Sequence, residues 1–245
     1  MATSGSVDFT LARDEIIASA YELVGVGIEG EALGAEDVAV ASRALNVMIK
    51  AMSPQGLHLW KRDKLTLPLT AAQSVYTIGR SGTPDLTADR PMRVLEATRV
   101  GNGTVDTNRS GMTRMTRNEY ESLSNHATAA TPTQFFFDPV LDNANLYLWP
   151  VPTATDATNT GIELVVQSPF EDMDASTDNV DFPAEWLEVI IYQLAVRLAP
   201  RTGLDLQERV LLKQEADSFL ETVLEFDVEE ESLYLQPNSE GDAWQ

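Results

Sequence analysis

The chain contains no cysteine in 245 residues. Disulfides and thiolate metal sites are thereby excluded, and packing and hydrogen bonding must hold the fold. Histidine is nearly as scarce, with only His58 and His126 present. A histidine-rich metal centre is ruled out, and a Ser-His-Asp triad would have to recruit one of these two. Neither lies near a G-x-S-x-G turn, so both are read as structural. No window approaches the roughly eighteen apolar residues of a membrane span. The N-terminal MATSGSVDFT has no basic region followed by an apolar run, so the chain is expected to be soluble, unprocessed and without a membrane partner. A phosphate-cradling Walker loop is missing too. Gly25, Gly27 and Gly30 follow a helical pattern rather than a strand, which defeats a dinucleotide-binding reading.

Positive charge is the other scarcity. There are 17 Lys and Arg against 38 Asp and Glu, a net charge of −21, and sequence-specific nucleic-acid binders need the opposite balance. No Lys or Arg occurs from Asn118 through Val196. The cations gather instead between Lys61 and Arg117, at Lys61, Arg62, Lys64, Arg80, Arg90, Arg93, Arg99, Arg109, Arg114 and Arg117. Such segregation places opposite fields on different faces of one fold or on neighbouring subunits, and the latter favours head-to-tail association.

What is present is a change of hydrophobic period along the chain. Ile16, Ala20, Leu23 and Val24 give a first amphipathic helix from about Leu11 to Val24, with Thr10 as its N-cap. Val38, Ala41, Leu45, Met48 and Met52 share one face of a second, which Pro54 should end at Ser53 by denying that residue helical geometry. Pro54, Gly56 and Trp60 then make a fixed corner, the Trp plugging the junction between two layers.

From Lys64 the period becomes two. Leu65 to Leu69, Val75 to Ile78, Arg93 to Val100, Gln134 to Phe137, Asn145 to Trp149 and Gly161 to Gln167 read as strands, Pro68 consigning the first to an edge. Turn formers separate them, among them Ala154 to Thr160. Thr116 and Glu119 have capping-box spacing and predict one short helix. Beyond Pro183 the helical period returns with Trp186, Leu187, Ile190, Ile191, Leu194 and Leu198. Asp205 and Glu208 open a last helix with Val210, Leu211, Leu212, Ala216, Phe219, Leu220, Val223 and Leu224 inside. The fold class is therefore α+β: a discontinuous four-helix bundle formed by both chain ends (1–62 and 182–231), an inserted antiparallel β domain (63–181), sandwich or barrel, and an extended tail (232–245).

Candidate chemistry is thin. Asp172, Asp174, Ser176 and Asp178 alternate like the start of a calcium loop, but Thr177 and Pro183 stand where the glycine and the final acid belong, so the stretch is a solvated loop without a metal. An acidic chain offers many carboxylate pairs for glycoside hydrolysis, and none is singled out. The tail is polar except for Leu233, Tyr234, Leu235 and Trp244, anchors of the kind that order against a partner.

The helix Asp14 to Gly25, then Glu36-Asp37, Ala44-Leu45-Asn46 and Gly56-Leu57-His58-Leu59-Trp60, with Phe182-Pro183 and Tyr192 to Pro200 at the other end, resemble the head-to-tail adaptor proteins of tailed bacteriophages, the tail accessory or packaged-DNA-stabilising family. The resemblance covers about Leu11 to Lys61 and Phe182 to Leu235. It implies a non-enzymatic ring of about twelve copies in the virion neck, made in the host cytoplasm. The ring docks on the portal protein, retains packaged DNA, continues its channel through to ejection and receives a tail or nozzle protein. It implies no cofactor. Twelve copies would carry roughly −250, and an acidic lumen lets double-stranded DNA slide without specific binding. The tail anchors Leu233, Tyr234, Leu235 and Trp244 are assigned to the portal contact. Two other functions fit the composition: a virion-associated cell-wall glycosidase, and a host-surface binding module built on the β region.

Overall fold

A computed structural model describes Gly5 and residues 9–27, 33–54, 59–101 and 108–226. Helices flank a β region in chain order, and the described residues form six α-helices and two sheets.

Helix α1 is Arg13–Leu23 and α2 is Ala35–Met52. The first begins two residues later than its periodicity predicts. Ala12, not Thr10, is the N-cap, its N–H donating to the Glu15 carboxylate at 2.8 Å, and the same residue bridges to Asn179. The acidic residue in the first turn thus caps the helix as well as meeting its dipole. α1 closes at Gly25, whose φ of 79° opens the left-handed region and where an added Cβ would meet no neighbour. Conformation, not space, therefore calls for glycine there. α2 buries Ala41, Leu45, Met48, Ile49 and Met52. Its C-cap Ser53 corrects one expectation: φ −49° and ψ −43° are helical despite the following proline, and its N–H still donates to the Ile49 carbonyl. Helical geometry persists one residue further than the proline rule allows.

Helices α5 (Leu187–Leu198) and α6 (Leu206–Phe226) follow the β region, and Pro183 caps the 3-10 turn that leads into α5. A single apolar core draws Ile16, Ile17 and Ala20 from α1, Leu45 and Met48 from α2, Val189, Ile190 and Leu194 from α5, and Leu212 from α6. α5 is its centre, touching each of the other three. Tyr21 adds a polar tie, its hydroxyl donating to the Asp37 carbonyl at 3.2 Å.

All six predicted strands exist. β1 (Arg62–Pro68), β4 (Arg93–Gly101) and β9 (Thr160–Gln167) form one antiparallel sheet with the short β5 (Arg109–Gly111), in the order β1-β9-β4-β5. Pro68 does lie on an edge strand. β2 (Val75–Gly79), β7 (Gln134–Asp138) and β8 (Asn143–Trp149) form the other sheet with β3 (Leu86–Thr87) and β6 (Thr113–Arg114), ordered β3-β2-β8-β7-β6. Alternate residues of both sheets, including Leu67, Tyr76, Ile78, Phe135, Leu146, Leu164 and Val166, meet in a second core, so the arrangement is a sandwich and not a barrel. It is not wholly antiparallel, since the outer strands β3 and β6 pair in parallel with β2 and β7.

Two short helices decorate the sandwich. Thr116 and Glu119 close the expected capping box on α3 (Arg117–Glu121). The second, α4 (Ala154–Asn159), falls where the sequence predicts a turn. Thr153 and Asp156 supply the same cap-plus-three spacing there. Asp156 is buried and accepts from the Thr153 N–H at 3.0 Å, the Thr153 hydroxyl at 2.6 Å and the Thr131 hydroxyl at 3.0 Å.

Candidate interaction surfaces

The helical core and the sandwich meet where β1 begins. Trp60 lies in a 3-10 turn, Leu59–Lys61, immediately before β1, and is half-buried. Its ring centroid stands 5.1 Å from Trp186, 6.1 Å from Phe182 and 6.3 Å from Phe170. Phe170 and Phe182 stack at 4.4 Å. Trp60 therefore packs on the helical side of the junction, against the residues that enter α5, and joins that core rather than the sandwich's. Pro54 is exposed just after α2. Gly56, His58 and the tail anchors Leu233, Tyr234, Leu235 and Trp244 lie outside the described residues.

The acidic stretch after β9 is a strap and not the solvated loop expected. Its backbone is bound by side chains of the first two helices. Lys50 donates to the Phe170 carbonyl at 2.6 Å and pairs with Asp172 at 3.0 Å. Asn46 both donates to the Met173 carbonyl, at 3.2 Å, and accepts from its N–H, at 2.9 Å. Arg13 reaches the Asp174 carbonyl at 2.6 Å, and Met173 itself is buried. Lys61 closes the far end on Asp181 at 2.5 Å. Asp178 is used internally, accepting from the Ala175 N–H. The alternating acids thus order a loop, and among the described residues no three His, Asp or Glu side chains could hold a metal ion.

Several cations of the middle stretch are likewise engaged within the chain. Glu163, on the outer face of β9, is gripped from both sides, by Lys64 on β1 at 3.2 Å and by Arg109 on β5 at 2.5 Å. Their hydrogen bonds hold its carboxyl at about 2, well below its ordinary 4.5. Arg80 pairs with Asp89 at 2.7 Å and Arg117 with Asp138 at 2.7 Å. Burial pushes the carboxyls of Asp85 and Asp156 up, but hydrogen bonds from Thr77 and Gln73 to the first and from Thr153 and Thr131 to the second outweigh it and lower both, and hydrogen bonds from Thr116 lower that of Glu119. His126, the one described histidine, stands edge-on to the Tyr120 ring at 4.7 Å.

The surface carries apolar groups that its own core does not use. A groove of about 580 Å³ runs between α1 and α5, walled by Phe9, Leu11, Leu23, Leu187, Ile191 and Tyr192, with Glu22 and Glu188 also lining it. Phe9 and Leu23 are exposed there. On α6, Leu206, Val210 and Leu211 are 66, 49 and 59% exposed, which corrects the expectation that Val210 and Leu211 point inward. At the tip between β7 and β8, Leu141 is exposed too.

The sequence model of the family described as SU10 adaptor protein matches residues 14–234. The chain belongs to the SU10 adaptor protein family. No curated protein sequence matches it. As an SU10 adaptor protein it is a bacteriophage head-tail adaptor, a structural component of the virion that contacts other head and tail proteins. The match runs from α1 through the sandwich and past α6, so the helical core, the strap and both sheets fall inside the family's pattern. No helix among the described residues is long and apolar enough to cross a membrane.

For an adaptor of this family the working parts are surfaces, and periodicity locates them incompletely. Val210, Leu211 and Leu212 are consecutive, and at 100° per residue three neighbours cannot share one buried face. That run is the available signal for an outward apolar group on α6. The groove gives no such signal, because Leu23, Leu187 and Ile191 also fit a buried stripe.

Proposed function

We propose that this adaptor forms a ring of about twelve copies in the neck of the virion, beneath the portal. The ring continues the DNA channel, retains packaged DNA and receives the next tail or nozzle protein. The observation that carries this reading is the family match through both helical ends and the intervening sandwich. In it, 1–62 and 182–231 act as a discontinuous four-helix bundle, the adaptor core, with Pro54, Gly56 and Trp60 at its corner. Residues 63–181 form the inserted β domain. The acidic balance of −21 per copy supports a conduit that does not trap DNA. No enzymatic step or cofactor is needed.

The tail, 232–245, is assigned to the portal. Leu233, Tyr234, Leu235 and Trp244 give it apolar anchors, and a dozen weak tails on one ring gain effective concentration. Co-sedimentation with portal rings tests this. Deleting Ser232 to Gln245 should leave the melting temperature of the isolated protein nearly unchanged and abolish co-sedimentation. Truncated protein that still decorates portals at full stoichiometry would move the contact to the helical core, and full-length protein that never decorates them would overturn the adaptor-on-portal assignment.

A further inference from the structure

Two apolar features at opposite ends of the α5–α6 pair complement one another. The first is a ridge. Leu206 and Val210 are one helical turn apart and face one side of α6, with the exposed Lys213 a further turn along the same flank. The second is the α1–α5 groove, whose walls include Phe9, Leu23, Leu187 and Ile191 and whose carboxylates are Glu22 and Glu188. The apolar groups of the ridge match the apolar walls of the groove, and its lysine is opposite in charge to the groove's acids. In a chain of net charge −21, copies repel one another, so a contact between them needs local charges of opposite sign.

A copy cannot fill its own groove with its own ridge. α6 runs antiparallel to α5 and is pinned at mid-length: the Tyr192 and Phe219 rings lie 4.9 Å apart, and the Gln193 amide donates to the Ala216 carbonyl at 3.3 Å. From Ala216 back to Val210 and Leu206 the helix runs about 9 to 15 Å away, toward the C-terminal end of α5. The groove lies at the N-terminal end of α5, by Leu187 and Ile191. We infer that the Leu206–Val210 ridge of one copy seats in the α1–α5 groove of the next copy, with its Lys213 against Glu22 and Glu188. The two surfaces differ, so the contact is heterologous. Each copy then keeps one free surface of either kind, and repetition closes into a ring or grows without limit according to the rotation between neighbours. The inference rests on the homo-oligomeric reading and names its interface.

The absence of cysteine makes the test direct. Full-length Val210→Cys and Leu23→Cys variants, mixed and oxidised, should give a disulfide-linked heterodimer, and the double variant a ladder of multimers. Leu23→Cys mixed with Val47→Cys, exposed on α2, is the control and should give only background. Glu188→Lys and Lys213→Glu should each lower the cross-linked yield about tenfold when present on one partner, and together restore it. If native mass measurements show multimers but the 23–210 cross-link does not form, the interface lies elsewhere and the homo-oligomer stands. Monomers alone at every concentration, and on portal rings, would sink both. A disulfide closed within one chain of the double variant overturns the inference. So does a preference of Leu23→Cys for Leu235→Cys in the tail.

Discussion

Glu163 shows how a single residue of the sandwich holds three strands at their solvent face. Lys64 and Arg109 approach it from β1 and β5, and their hydrogen bonds draw its carboxyl down to about 2. A lowered folded value means that the interaction is complete above the ordinary 4.5 and is lost as pH falls toward about 2. A carboxyl-carbon NMR titration should therefore find a midpoint near the lower figure, and Arg109→Ala should raise it. Asp156 follows the same sign from a buried position, its carboxyl lowered chiefly by the Thr153 and Thr131 hydrogen bonds that outweigh burial. Asp156→Ala leaves both hydroxyls without that acceptor and should destabilise by about 2 kcal/mol in urea unfolding near neutral pH. Trp60→Ala removes one member of the aromatic cluster beside α5. Because the ring is only half-buried, the expected cost is about 2 to 3 kcal/mol, below the range for fully buried aromatics.

Among the elements, the strap from Phe170 to Phe182 ties the exit of the sandwich to helices laid down more than a hundred residues earlier. Asn46→Ala deletes both of its bonds to Met173. It should cost about 1 to 2 kcal/mol and speed amide exchange at Met173 while leaving exchange within β8 unchanged. This element also marks the limit of what the sequence discloses. Periodicity places the four long helices and six strands, because burial imposes a period of 3.6 or 2 on any element that packs on one side. It cannot see the strap, whose order comes from Asn46, Lys50 and Arg13, partners remote in sequence. Nor can it see β3, β5 and β6, strands of two or three residues with too few side chains to show a period. α4 is within reach, since Thr153 and Asp156 repeat the spacing that correctly announces α3. The run Val210 to Leu212 announces that some apolar group must point outward, but periodicity, which equates an apolar residue on a helix with a buried one, does not say which. An apolar residue left on the outer side of a helix breaks that equation.

In the whole molecule, the sandwich core is nested in sequence between the two halves of the helical core, and the sandwich leaves and rejoins the helices through neighbouring strands. Arg62 of β1 is in register with Gln167 of β9, and the Ser168 N–H donates to the Lys61 carbonyl at 3.0 Å just outside them. If the helical core alone carries the assembly, a ridge variant such as Val210→Glu should melt within about 1 °C of the parent while its multimers dissociate, as read by scanning calorimetry and mass measurement together. The paired strand ends have a mechanical consequence. A tensile load passing through the helices enters the sandwich at two points that are already clasped, so it crosses the Lys61–Ser168 hydrogen bond and is not borne along the strands. Should that clasp open, and with it the Trp60–Phe170 contact and the Lys50 and Lys61 ties of the strap, β1 and β9 would peel away from each other rung by rung from that end, like a zipper.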